Sequence, residues 1–271
     1  MKKDMGDYSI FGGLQGIDRL EVLSRTVAPF TNRFLDDNQG AIKGRCLDMG
    51  CGNGSVTLNM ASRIEGRGHA YGFDLDQQNI AYAKRVAEAN NIGNVSFCRL
   101  DVCEFQEKSN YNLIYARFLL SHLHYARQLL KSIYHGLVPG GRVLIEDTDF
   151  SGHFCFPENT EFQSYVKLYQ QLLNKKGADA NIGQRLPQLL KEAGFHGITV
   201  QIEQPVHSKG EGKLMAELTM TGISEALTKE QIAKKEEIEN IFSSLKQFRE
   251  NENTLMSLPR IVQVTAVKPK Q

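Results

Sequence analysis

Residues 47–55 read Leu47-Asp48-Met49-Gly50-Cys51-Gly52-Asn53-Gly54-Ser55. Glycine has no Cβ, so glycines at alternate positions let the chain turn tightly and bring bare backbone against a ligand. Upstream, Arg45-Cys46-Leu47-Asp48-Met49 is a short apolar run of strand type; downstream, Val56, Met60 and Ile64 recur at helical spacing. A strand, a glycine turn and a helix in that order open a βαβ unit.

The rhythm continues outward from this loop. His69–Phe73 reads as the second strand, followed by a helix through Ile80, Ala83 and Ala87. Val95–Cys98 and Tyr111–Tyr115 read as the third and fourth strands, and Leu129, Ile133 and Leu137 mark a helix that stops at Val138-Pro139-Gly140-Gly141. Arg142–Glu146 is the fifth strand; Phe162, Tyr165, Val166, Tyr169, Leu172 and Leu173 share a helix face. A shorter helix through Leu186, Leu189, Leu190 and Ala193 closes at Gly194, before a sixth strand over 197–203 and a last one over 260–267. The expected fold is α/β: a Rossmann-like, seven-stranded, mostly parallel sheet with helices on both faces. It carries a helical N-terminal segment and a helical insertion before the last strand. At 271 residues it is read as one domain: an N-terminal helical cap (1–43), a core (44–207), a lid-like insertion (208–257), and the last strand and tail (258–271).

The glycine loop departs from two phosphate-binding patterns. Dinucleotide sites require Gly-x-Gly-x-x-Gly, and Ser55 occupies the last position; the Gly-Lys-Ser/Thr of a P-loop is missing too. Asp48, directly before the glycines, repels phosphate and suits a cation. S-adenosylmethionine carries a sulfonium, an ammonium and no phosphate, so the charges favour it over NAD. Asp74, 20 residues beyond Gly54, ends the second strand, where a carboxylate accepts hydrogen bonds from ribose hydroxyls. Asp101 closes the third, within reach of an adenine amino group.

On these residues, with Tyr111-Asn112-Leu113-Ile114-Tyr115 and Leu137-Val138-Pro139-Gly140-Gly141, the chain resembles the class I S-adenosylmethionine-dependent methyltransferases. It is most similar to the small-molecule group that includes the ubiquinone/menaquinone biosynthesis enzymes. The resemblance implies a cofactor site of Asp48, Gly50, Cys51, Gly52, Gly54, Asp74, Leu75, Asp101 and Val102. Ala116 and Arg117 would face the cofactor's amino group, and Tyr8 and Arg19 would close over it from the N-terminal segment.

For the acceptor, the crevice rule for open sheets points to the ends of the fourth and fifth strands, near Arg117, His122, His124, Asp147 and Asp149. His122 and Asp147 are the candidate general bases; the competing reading makes them loop and capping residues. His122-x-His124 lacks a third ligand at metal spacing, so no metal is expected. The formal charge of +1 argues against a nucleic-acid partner, and no apolar run is long enough to span a membrane. The N-terminus lacks a signal core and the odd number of cysteines shows no Cys-x-x-Cys, so a cytoplasmic location with reduced thiols is expected. The reading is a methyltransferase acting on a small molecule. Its alternatives are an RNA or protein methyltransferase, a non-catalytic cofactor-binding module and a nucleotide-dependent oxidoreductase; the methylated atom and the oligomeric state stay open.

Overall fold

The computed structural model describes residues 14–270. Its central sheet has the order β3-β2-β1-β4-β5-β10-β7, with β1 (Arg45–Met49), β2 (His69–Asp74), β3 (Val95–Arg99), β4 (Tyr111–Arg117), β5 (Leu137–Asp149), β7 (His196–Glu203) and β10 (Arg260–Val267). The strands β1 to β5 pair in parallel, and β10 runs antiparallel to both β5 and β7. β1 pairs with β2 on one side and β4 on the other, so the strand order reverses beside it. Open α/β sheets hold their ligands at that reversal, outside the carboxyl ends of the strands.

Side chains of a strand alternate between faces, and β1 and β4 show the consequence. Leu47, Met49, Ile114 and Ala116 pack into the core shared with α4 (Ala126–Gly136) and α6 (Leu186–Ala193). Cys46, Leu113 and Tyr115 face the opposite core, with α1 (Leu14–Asp37) and α2 (Ser55–Arg63). Helices thus cover both faces, as expected. α3 (Gln77–Ala89) starts at Asp76, whose side chain accepts from the Gln78 N–H, and α6 stops at Gly194 with φ 102°. These are an N-cap and a left-handed C-terminal glycine.

A second core lies beyond the carboxyl ends of the strands. α5 (Thr160–Lys175), α7 (Met215–Lys229) and α8 (Lys235–Glu250) bury Leu172, Leu173, Met220, Ile223, Ile241 and Leu245 against one another. A small antiparallel sheet, β6 (Cys155–Phe156), β9 (Leu255–Ser257) and β8 (Val206–His207), lies between these helices and the main sheet in the chain path. Neither α7 nor this sheet is expected from periodicity. Glu217 and Thr219 are buried on α7 and blur its apolar stripe, and strands of two or three residues show no period. No helix among the described residues is long and apolar enough to cross a membrane.

Candidate active site

The glycine loop is laid over the end of β2: the Gly50 and Cys51 N–H groups both donate to the Phe73 carbonyl, at 2.8 and 2.9 Å. Gly50, Gly52 and Gly54 have φ of 74°, 52° and 81°, a region that side-chain-bearing residues rarely adopt. Asp74 braces the loop. Its Oδ2 accepts from the Gly52 N–H at 2.8 Å and its Oδ1 from the Asp76 N–H at 2.9 Å. Burial raises this carboxyl above its ordinary range, against the pull of those donors. Asp48 lies deeper and accepts from the Thr57 hydroxyl at 2.7 Å; burial pushes its carboxyl up to about 6, the Thr57 bond opposing.

The three glycines differ in what they face. Gly50 and Gly52 line a cavity, whereas Gly54 does not. A Cβ on Gly54 would meet the Ala83 Cβ at 2.7 Å and the Phe97 ring at 2.9 Å, so its bareness lets α2 start against α3 and β3. Gly54→Ala therefore adds left-handed strain to overpacking, together about 2–4 kcal/mol of stability. Thermal unfolding followed by circular dichroism should show a fall of several degrees, and an unchanged midpoint would rule this assignment out.

The cavity has a volume of about 410 Å³, within the range of small-molecule sites. At one end are the glycine loop and the carboxylates Asp48, Asp74, Asp76 and Asp101, flanked by Leu75 and Val102. Asp101 also caps the following turn, accepting from the Cys103 N–H at 2.9 Å. At the other end stand Arg19, His122, Phe150, His153, Tyr165 and Tyr169. Phe150 stacks on Tyr169 with ring centroids 4.0 Å apart, and His153 lies 4.3 Å from Phe150. Burial, the largest cause for each, pushes the imidazoles of His122 and His153 down to about 4. The Tyr165 and Tyr169 hydroxyls are pushed above their ordinary range for the same reason.

α1 forms one wall. Leu20 is the side chain that a Cβ on Gly52 would touch, at 3.4 Å, while Arg19 faces Tyr165, Tyr169 and His122. Arg117, at the end of β4, fastens this helix. Its guanidinium donates to the Thr31, Ser24 and Ser55 hydroxyls at 3.1, 3.3 and 3.4 Å, joining α1 to the first turn of α2.

Of the residues singled out from sequence, Arg19, Asp48, Gly50, Cys51, Gly52, Asp74, Leu75, Asp101, Val102, Arg117 and His122 line this one cavity. Gly54 and the fully buried Ala116 sit behind its wall. Tyr8 lies outside the described residues. Asp147 does not line the cavity. β5 continues past Glu146 to Asp149, so Asp147 is an interior residue of the strand, opposite Val262 of β10. Its carboxylate is fully buried and accepts from the Leu120, Ser121 and Thr148 N–H groups at 2.8, 3.2 and 2.8 Å. It fixes the turn that carries His122. Asp149 is paired with Arg260 at 2.7 Å, and neither it nor His124 reaches the cavity. Phe150, His153, Met215, Thr219 and Leu258 line the cavity without having been expected there. So do Tyr165 and Tyr169, which in sequence look like part of an ordinary core stripe.

The family model described as a methyltransferase domain matches residues 43–194. Phosphoethanolamine N-methyltransferase 1 of Arabidopsis thaliana is 29% identical over 178 residues, covering 63% of this chain and 32% of that protein. The chain thus spans about a third of the length of that relative. A ubiquinone/menaquinone biosynthesis C-methyltransferase of Vibrio cholerae is 26% identical over 196 residues, covering 66% of this chain and 75% of that one. Among solved structures, the fold is shared with phosphoethanolamine N-methyltransferase 2 of Haemonchus contortus in complex with phosphomonomethylethanolamine and S-adenosylhomocysteine. That match has a TM-score of 0.52 and 20% identity, and covers 84% of this chain and 49% of that one. The YcgJ protein of Bacillus subtilis matches with a TM-score of 0.59 and 14% identity, covering 89% of this chain and all of that one.

Proposed function

The chain belongs to the methyltransferase-domain family, and from that premise we propose that it transfers a methyl group from S-adenosylmethionine to a small-molecule acceptor held in the same cavity. The observation that carries this reading is the continuity of the cavity: a carboxylate-ringed glycine loop at one end and an aromatic chamber walled by α1, α5 and α7 at the other.

The residues at the loop end fit the cofactor. Positive-φ glycines leave backbone bare where a Cβ would protrude, and four carboxylates suit a cationic ligand and repel a pyrophosphate. Gly50, Gly52 and Asp48 would hold its amino-acid part, Asp74 its ribose, and Leu75, Asp101 and Val102 its adenine. When bound, the cofactor supplies a methyl carbon made electrophilic by its sulfonium.

The rest is the work of the chain: to align the acceptor and exclude water. Leu20 and Leu23 of α1 and Met215 and Ala216 of α7 close the chamber. His122 supplies the proton acceptor. Its Nδ1 is buried and has no hydrogen-bond partner among the described residues, and with its imidazole pushed down to about 4 it is unprotonated at neutral pH. Asp147 acts through it, as a positioning residue. The enclosure favours small acceptors over RNA or protein, in keeping with the small molecules in the relatives' names. The five free cysteines suit the reducing cytoplasm, where we place the protein.

Calorimetric titration with S-adenosylmethionine, S-adenosylhomocysteine and NAD tests the cofactor assignment. The two sulfur compounds should bind and NAD should not. Because the Asp48 carboxyl sits near 6 in the free protein, acid neutralises it and a cation loses its counter-charge. S-adenosylmethionine affinity should therefore fall about tenfold between pH 7 and pH 5. Binding of NAD instead, or of none of the three, would overturn the reading.

A further inference from the structure

We propose, resting on the methyltransferase reading above, that His153 decides which acceptor the cavity takes: its Nε2 receives the hydrogen bond of a hydroxyl or amino group carried on an aromatic ring. His153 thereby serves recognition, apart from the proton acceptance given to His122.

The imidazole is held by its own turn. Residues Phe150–Gly152 form a short turn at the end of β5, and the His153 backbone N–H and ring Nδ1 both meet the Phe150 carbonyl, at 3.3 and 3.1 Å. Gly152 lets that turn lie against β10, since a Cβ there would meet the Arg260 Cβ at 2.7 Å. The rings of Phe150, Phe162 and Tyr165 surround the imidazole, with centroids 4.3, 5.7 and 6.0 Å away. The orientation of the ring is therefore set by the fold, before any ligand arrives.

A carbonyl oxygen can only accept, so Nδ1 carries the proton. Burial, which pushes this imidazole down to about 4, keeps a second proton off at neutral pH and leaves Nε2 with a bare lone pair. That nitrogen has no hydrogen-bond partner among the described residues, and it is not sealed within the packing. His153 lines the cavity, so a fixed, acceptor-only atom stands on the wall of a largely apolar chamber. Such an atom favours a ligand that donates to it and rejects an analogue of the same shape that does not. The body of the ligand follows from the same turn. Phe150, whose carbonyl fixes His153, lies almost parallel to Tyr169, with 14° between the ring planes and 4.0 Å between centroids. Met215, Ala216, Met256 and Ile261 continue the apolar lining. A flat wall suits a flat ring, and one donor at the rim of that ring is what a single lone pair can satisfy.

The test uses the full chain saturated with S-adenosylhomocysteine and titrated calorimetrically with p-cresol, p-toluidine and p-xylene, rings of nearly the same shape of which the last has no donor. In the wild type the cresol and the toluidine should bind tighter than the xylene, and the tighter of the two shows which donor the site prefers. His153→Phe keeps a ring in the packing but removes both nitrogens, and should lower each donor-to-xylene ratio about three- to tenfold, the worth of one neutral hydrogen bond. His153→Gln, whose amide oxygen can take the place of Nε2, should restore part of it; a ratio within one variant is unaffected by folding yield. Nitrogen NMR of histidine-labelled protein reads the same lone pair directly. The His153 ring, assigned by its loss in His153→Phe, should be the neutral Nδ1–H tautomer, and its Nε2 signal should move upfield with p-cresol or p-toluidine but not with p-xylene. A preference that survives His153→Phe, the lack of any preference or of any binding in the wild type, or a proton on Nε2 would overturn the inference. Failure of S-adenosylhomocysteine itself to bind the wild type would instead overturn the methyltransferase reading on which it stands.

Discussion

Asp74→Ala is expected to raise the dissociation constant for S-adenosylhomocysteine about a hundredfold, the largest single effect on cofactor binding in the site. Two losses combine. The first is direct: a carboxylate accepting from two ribose hydroxyls makes charge-assisted bonds worth about 1.5–3 kcal/mol each, so a hundredfold, about 2.7 kcal/mol, is a conservative sum. The second is local. Asp74 is the acceptor for the Gly52 N–H and the Asp76 N–H, and alanine leaves the Gly52 N–H without its partner in a loop already held at positive φ.

Asp74→Asn separates the two losses. The amide keeps one acceptor oxygen, enough for one of the two N–H groups, but turns an NH₂ toward the other donor. Its affinity should fall between those of the wild type and the alanine variant. Calorimetry checks the affinities and thermal unfolding the loop's share. An alanine variant that binds S-adenosylhomocysteine within about threefold of wild type would show that the cofactor does not rest on this carboxylate.

The glycine-loop end of the cavity was legible in sequence because its information is local and periodic. Asp48 and the glycines are contiguous, and Asp74 and Asp101 stand at the ends of strands whose apolar runs are short and bounded. The opposite end is assembled from Arg19 on α1, Tyr165 and Tyr169 on α5, Met215 on α7 and Ile261 on β10, which only the folded chain brings together. Tyr165 and Tyr169 are four apart on a helix face that also buries Leu172 and Leu173, so a site residue and a core residue carry the same periodic signal. The placement of Asp147 was hidden from the sequence for a related reason. The apolar run Val143–Ile145 suggests a strand ending at Glu146, but pairing with β10 carries it to Asp149, opposite Arg260. An expected strand-end acid thereby became an interior one, aimed at the backbone of the 120–122 turn.

Glu146, next to Asp147, has the opposite fate and carries the largest expected effect on stability. It faces the α1 side of the sheet, fully buried, and accepts from the Tyr115 hydroxyl, the Thr31 hydroxyl at 3.1 Å and the Gln263 amide at 2.9 Å. Those donors belong to β4, α1 and β10, so a single carboxylate ties the sheet to the helix that roofs the cavity. Glu146→Leu strips the Tyr115 and Thr31 hydroxyls of their acceptor and leaves Gln263 only its longer bond to the Phe30 carbonyl at 3.3 Å; at about 1–3 kcal/mol for each orphaned buried donor, the expected loss is about 3–5 kcal/mol. For a domain of this size that is a fall of roughly 6–20 °C in the unfolding midpoint. Glu146→Gln should recover little, since its NH₂ confronts donors where an oxygen is needed. The Glu146→Leu/Tyr115→Phe double variant should lose less than the sum of its parts, because phenylalanine removes the donor that leucine strands. Thr31 also receives a hydrogen bond from Arg117, so α1 keeps that tie but loses its bond to Glu146, and S-adenosylhomocysteine affinity should weaken with it at temperatures where the variant is still folded. A midpoint within about 2 °C of wild type, or strictly additive double-variant losses, would show that this cluster is not what fastens α1 to the sheet.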